Sequence, residues 1–189
     1  VFTQNVVVSP SVVWSRNALA KSRTSRAVVI NSGNANAVVG PKGLKDCEAI
    51  TKKFAEELSI PQKEMLIAST GVIGVPLPAH KILKAAPDLA QKIGKTANSW
   101  NHAAQAILTT DLVSKSDRVQ YTFQGKSIVI GGITKGSGMI HPNMATMLGV
   151  LCTNASIDSK TLKKALKEAT ARSFTRNTGD GDSSNADFS

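Results

Sequence analysis

Short runs rich in β-branched residues alternate along this chain with stretches whose apolar residues recur every three or four positions. That alternation constrains the fold more than any other feature. A strand and an amphipathic helix each have an apolar face to bury, and layering one on the other buries both. Residues 5–8 and 26–30 are rich in valine and read as strands. Leu44, Cys47, Thr51, Phe54, Ala55 and Leu58 recur at helical spacing and predict a helix that stops before Pro61. Residues 65–69 predict a short strand, followed by the loop Thr70-Gly71-Val72-Ile73-Gly74. Residues 80–86 read as a helix that Pro87 interrupts or restarts. Trp100, Ala103, Ala104, Ile107 and Leu108 predict another helix, leading into Thr109-Thr110-Asp111. Residues 119–123 and 126–133 flank Gln124-Gly125, a hairpin signal. Residues 147–152 are apolar enough for a central strand, and Asp158 or Ser159 can cap a helix carrying Leu162, Ala165, Leu166 and Ala169. The expected architecture is an α/β layered domain with a mixed sheet.

The 189 residues fit one domain or a piece of a larger one, and an apolar fraction of 41% is enough for a core. No segment approaches the roughly 20 apolar residues of a membrane span. The first five residues carry neither an initiator Met nor a signal peptide and read as the interior of a strand, so the native start is expected before Val1. The net charge of +10 comes from lysines scattered over the polar faces of predicted helices. Aromatic residues are only 4%, too few for base-stacking platforms, so solvated helix faces are expected rather than a nucleic-acid surface. Cys47 and Cys152 have no metal-ligand spacing and fit a reduced, intracellular protein.

Chemistry is suggested most strongly by the run from Lys135 to Leu148. Gly136, Gly138 and Pro142 fall within seven residues, so neither helix nor strand can continue through it. Ala145-Thr146 then leads into an apolar run, placing a hydroxyl between a turn-rich loop and a strand. A threonine needs an adjacent base to act as a nucleophile, and its own amine can serve once the preceding peptide bond is cut. Thr70-Gly71, after another predicted strand, offers a hydroxyl and a backbone N–H that can point at one oxygen, as an oxyanion hole requires. Without such a role the pair is a turn glycine and a capping threonine. Lys135, at the end of a predicted strand and before glycines, could bind a substrate carboxylate. It precedes the glycines, so the phosphate-loop spacing is absent. Thr109-Thr110-Asp111 can supply hydroxyls to a polar substrate or simply cap a helix. His141 reads as structural, and Asp180-Gly181-Asp182 as a turn lacking the ligand spacing of a calcium loop.

Five segments together resemble the ornithine acetyltransferase family of arginine biosynthesis, also called bifunctional glutamate N-acetyltransferase. They are Val1-Phe2-Thr3-Gln4-Asn5, Asn31-Ser32-Gly33-Asn34-Ala35-Asn36-Ala37, Ser69-Thr70-Gly71-Val72-Ile73-Gly74, Thr109-Thr110-Asp111 and the run from Lys135 to Leu148. The resemblance extends to about residue 176. It implies a layered sandwich with mixed sheets, similar to N-terminal-nucleophile hydrolases. It also implies a precursor cut between Ala145 and Thr146, so that residues 1–145 form an α-chain-like region and 146–189 the start of a β chain. Thr146 would then be the nucleophile, Thr70 and Gly71 the oxyanion hole, and Thr109, Lys135 and Thr146 the substrate contacts. The implied reaction moves acetyl from N2-acetyl-L-ornithine to L-glutamate by a ping-pong route, and some members use acetyl-CoA as donor. No metal or bound cofactor is implied.

Family members extend past the equivalent of Ser189 and supply further substrate contacts there, a glutamate and C-terminal Asn and Ser/Thr residues. After Ser173-Phe174 the match decays. Two other readings of the chain follow from its residues: a threonine-nucleophile amidohydrolase or aminopeptidase, and a non-catalytic folding or assembly partner. The small-molecule substrates, the association of α and β chains, and a bacterial cytoplasm or an organelle matrix complete the expectations.

Overall fold

The computed structural model describes Phe2 and residues 5–139 and 147–177. These divide into two compact units, one running Asn5–Trp100 and the other from Asn101 onward together with Phe2.

The first unit is built around a parallel strand pair. Helix α1 (Pro10–Ser22) leads to strand β1 (Ala27–Asn31), helix α2 (Lys42–Glu57), strand β2 (Met65–Ser69) and helix α3 (Ala79–Gln91). β1 and β2 pair from Ala27 opposite Met65 to Asn31 opposite Ser69. α2 lies between them in sequence, as a parallel pair needs a crossover rather than a tight turn. Its buried positions Gly43, Asp46, Cys47, Ile50, Thr51, Phe54 and Ala55 follow the helical period. Cys47, Ile50, Phe54 and Ala55 pack with Met65, Ile67, Leu77 and Ala86 into one apolar core.

Helix α1 was not anticipated, and residues 5–8 do not form the expected strand. The Asn5 side chain accepts from the Val7 N–H and turns the backbone, leaving Val6 and Val7 exposed. Ser9 then caps the helix, with Pro10 inside its first turn. The periodicity was hidden because the buried stripe is Ser11, Val12, Ser15 and Ala18, which is largely polar or small. Those serines fit because they meet polar groups of β2. Ser15 Oγ donates to the Ile67 carbonyl at 2.8 Å and accepts from the Ile67 N–H at 3.0 Å. Ser11 Oγ lies 2.8 Å from Ser69 Oγ. Thus α1 satisfies the edge of β2 that β1 leaves open.

Pro87 does not interrupt α3, which runs continuously from Ala79 to Gln91. A proline costs a helix one hydrogen bond, and here the neighbouring Ala86 is fully buried against the core.

The second unit contains a three-stranded antiparallel meander, β3 (Lys115–Phe123), β4 (Lys126–Lys135) and β5 (Leu148–Thr153). Gln124 and Gly125 turn the β3–β4 hairpin, both with positive φ, as a two-residue hairpin loop favours. β4 and β5 pair from Lys135 opposite Leu148 to Ile130 opposite Thr153. Helix α4 (Ala97–Ala106) ends two residues earlier than its apolar pattern suggested, and helix α5 (Ser159–Arg172) starts at an Asp158 cap. Parallel and antiparallel pairing therefore occur in separate sheets among the described residues, rather than within one.

Candidate functional site

Thr70 and Gly71 sit where β2 ends. The Thr70 N–H donates to the Asn31 carbonyl at 3.0 Å, carrying the parallel ladder one residue further. Thr70 is 1% exposed, so its hydroxyl is held inside the fold rather than in a mobile turn. Gly71 has φ +131°, and a Cβ there would lie 2.3 Å from the Gly33 carbonyl carbon. Only glycine permits both the backbone angle and that approach. Gly71 is half-buried, and its N–H has no acceptor among the described residues. An available N–H beside a buried hydroxyl at a rigid strand end is what the expected oxyanion role requires.

The Asn31–Asn36 turn holds this loop in place. The Asn31 amide donates to the Asn34 carbonyl at 2.8 Å, and Asn34 Nδ2 donates to the Val75 carbonyl at 3.0 Å. Asn34 Oδ1 accepts from the Asn36 N–H at 2.8 Å. Backbone bonds join Val72 N to Gly33 O and Ala35 N to Val72 O. Sequence reasoning treated these asparagines as turn formers. Their cross-loop role depends on which strand end lies beside them, and the parallel register decides that.

Beneath this loop, Cys47 Sγ accepts from Asn36 Nδ2 at 3.2 Å and lies 3.8 Å from Ser11 Oγ. Burial pushes its thiol up to about 11, against the opposing pull of the Ser11 and Asn36 hydrogen bonds. Cys47 is therefore an inert core thiol. Cys152 is exposed, and both cysteines are free.

In the second unit, Lys135 ends β4 as expected, and it is 2% exposed. Its ammonium donates to Thr109 Oγ1 at 2.7 Å, bringing together two of the anticipated substrate contacts. Thr109 is itself exposed, so its O–H remains able to donate outward. Asp111 lies just beyond. Its Oδ1 accepts from the Gly136 N–H at 2.8 Å and from Lys115 Nζ, and its side chain is fully shielded. Burial works against its charge. The hydrogen bonds from Lys115 and Gly136, with the positive charges of Lys115 and Lys135, outweigh burial and hold Asp111 below the usual carboxylate range. The Thr109-Thr110-Asp111 segment thus clasps the start of the glycine-bearing loop.

That loop reaches Met139 with φ +58°, a left-handed conformation uncommon for a residue with a side chain. Ala145, Thr146 and His141 lie outside the described residues, as does Asp180-Gly181-Asp182. Met147 and Leu148, which follow Thr146 in sequence, are buried at the start of β5. Among the described residues no cluster of three or more His, Cys, Asp or Glu could hold a metal ion, and no helix is long and apolar enough to cross a membrane.

The fold is that of a mixed α/β protein that places hydroxyl, amide and ammonium groups at or beside strand ends. The chain belongs to the ArgJ family, whose model matches residues 1–189. It is 46% identical over 187 residues to the arginine biosynthesis bifunctional protein ArgJ of Caldanaerobacter subterraneus subsp. tengcongensis, covering 99% of this chain and 46% of that protein. It is 45% identical over 186 residues to the chloroplastic ArgJ of Sorghum bicolor, covering 98% of this chain and 40% of that one. The chain therefore spans about half the length of the curated relatives it matches. Among solved structures, ArgJ of Bacillus halodurans aligns with TM-score 0.70 and 36% identity, over 76% of this chain and 74% of its own. The ornithine acetyltransferase of Mycobacterium tuberculosis, solved as a complex with ornithine, aligns with TM-score 0.65 and 31% identity, over 80% and 75%.

Proposed function

We propose that this chain carries the nucleophile and part of the substrate site of an acetyltransferase moving acetyl from N2-acetyl-L-ornithine to L-glutamate in arginine biosynthesis. The precursor first cuts itself. Thr146 Oγ attacks the Ala145 carbonyl, an ester replaces the amide, and water hydrolyses the ester. The products are an Ala145 carboxylate and a free Thr146 amine.

In the transfer reaction the Thr146 amine takes the proton from Oγ as Oγ attacks the acetyl carbonyl. The Thr70 hydroxyl and Gly71 N–H stabilise the oxyanion, with one such donor contributing roughly 3 kcal/mol in a dry site. The proton passes to the departing nitrogen and ornithine leaves, with acetyl now on Thr146 Oγ. The glutamate amine then attacks that ester and restores the hydroxyl. Thr109 and Lys135 contact the substrate, with Lys135 as the cation facing a carboxylate. No bound cofactor enters the route, and acetyl-CoA can replace acetylornithine as donor. The α and β segments stay associated after the cut, because separating them would expose a large apolar face. A bacterial cytoplasm or a chloroplast matrix suits the reaction, in keeping with the relatives' bacterial and chloroplastic origins.

The observation that carries this reading is the Gly71 N–H, which has no acceptor among the described residues although it sits beside the buried Thr70 at the end of β2. Intact mass of the full-length protein tests it. Fragments ending at Ala145 and beginning at Thr146 are expected, as is an acetyl adduct on the latter after incubation with acetylornithine. Thr146→Ala should abolish both. An uncut protein whose Thr146→Ala variant still transfers acetyl would sink the mechanism. Acetate release at a rate indifferent to glutamate would mark a hydrolase instead.

A further inference from the structure

The shielded carboxylate of Asp111 has no part in the route proposed above. Its Oδ1 accepts from the Gly136 N–H and from Lys115 Nζ, joining the segment after α4 to the turn that follows β4. Its Oδ2 is buried and has no hydrogen-bond partner among the described residues. Two residues back along the same segment, Thr109 Oγ1 takes the hydrogen bond from the buried Lys135 ammonium. One short stretch therefore fixes Lys135 twice, at its ammonium through Thr109 and at the adjoining peptide through Asp111.

We propose that Asp111 is a positioning residue for Lys135, fixing the Lys135-Gly136 turn through the Gly136 N–H and supplying a counter-charge to the buried ammonium. This rests on the functional reading above, in which Lys135 binds the substrate. The roles separate by substitution. Asp111→Asn keeps an acceptor for Gly136 and removes the charge, whereas Asp111→Ala removes both.

A double-mutant cycle in the full-length protein tests the link to Lys135. Asp111→Asn should raise the KM for acetylornithine about ten-fold with kcat changed less than three-fold. In a Lys135→Met background the same substitution should change neither by more than two-fold. A ten-fold loss in both backgrounds, or no loss in either, would overturn the proposal. Should Asp111→Asn fail to fold, Lys115→Met loosens the same carboxylate from its other partner. Its KM effect should likewise vanish beside Lys135→Met, and additivity there also overturns the proposal. Amide hydrogen exchange at Gly136 needs no activity. It should quicken at least ten-fold in Asp111→Ala but less than three-fold in Asp111→Asn. Equal protection in Asp111→Ala and the parent would refute the clasp even in a protein that transfers no acetyl. Absence of transfer by the parent protein would instead refute the functional reading alone.

Discussion

The two units secure their functional strand ends by different means. In the first, β2 is buried along its whole length and rests on one apolar core of side chains from α2, α3 and β2 itself. Thr70-Gly71 inherits its rigidity from that packing, with the asparagine turn laid across it. In the second, the antiparallel sheet leaves most of β3 exposed, including Val119, Tyr121 and Phe123, and burial is concentrated near Ile133, Lys135, Met147 and Leu148. There the end of β4 is held by a polar clasp, in which Thr109 meets the buried Lys135 ammonium and the shielded Asp111 carboxylate meets the Gly136 N–H. A backbone donor needs only a fixed strand end, which apolar packing supplies. A buried ammonium needs partners as well, and apolar packing cannot supply them.

The sharpest way to break this comparison is to open the apolar core. Phe54→Ala removes a large buried ring and should cost about 3–5 kcal/mol by chemical denaturation. A loss below about 1 kcal/mol would mean that this core is not what fixes the Thr70 loop.

Cys47 gives a second, smaller probe of the same unit. Its folded pKa is raised from 9.0 to about 11, so above pH 9 the unfolded chain gives up its proton while the folded chain keeps it. The unfolded state then binds fewer protons, and stability falls as pH rises through that window. About two pK units correspond to roughly 3 kcal/mol at most. Stability measured from pH 8 to 11 should decline less steeply in Cys47→Ala. Equal slopes would place the thiol in a wetter site than the fold indicates.

The smallest effect belongs to the second unit. Asp158 caps α5 by accepting from the Lys160 and Thr161 N–H groups, each at 3.0 Å. Asp158→Ala should lower stability by about 1 kcal/mol, read from thermal melts. A loss as large as that of Phe54→Ala would remove the distinction drawn between the two units.

Much of this was legible in the residues. The spacing of Cys47, Phe54 and Ala55 announced α2, the valine-rich and apolar runs announced β1 and β2, and Gln124-Gly125 announced the hairpin. These signals are local, since each depends on which residues lie two, three or four positions apart. Helix α1 escaped because Ser11 and Ser15 occupy its buried stripe, and a serine is at home there only when a strand edge supplies its partner. Pro87 misled for a related reason, as the burial of Ala86 was not visible when the helix was read by itself.

The candidate site divides along the same line. The residues from Lys135 to Leu148, with Thr70-Gly71 and Thr109, stood out as candidates by type and order, and they pointed to the family whose model matches the whole chain. The Thr109–Lys135 bond joins positions 26 residues apart, and the bond from Asp111 to Gly136 spans 25. No local spacing predicts either pairing. Most of the elements, though not α1, and the chemical groups available follow from the residues alone, because propensity and periodicity act over a few residues. Tertiary structure alone decided which groups meet and which are buried, because hydrogen bonds and desolvation depend on distances that only the folded chain sets.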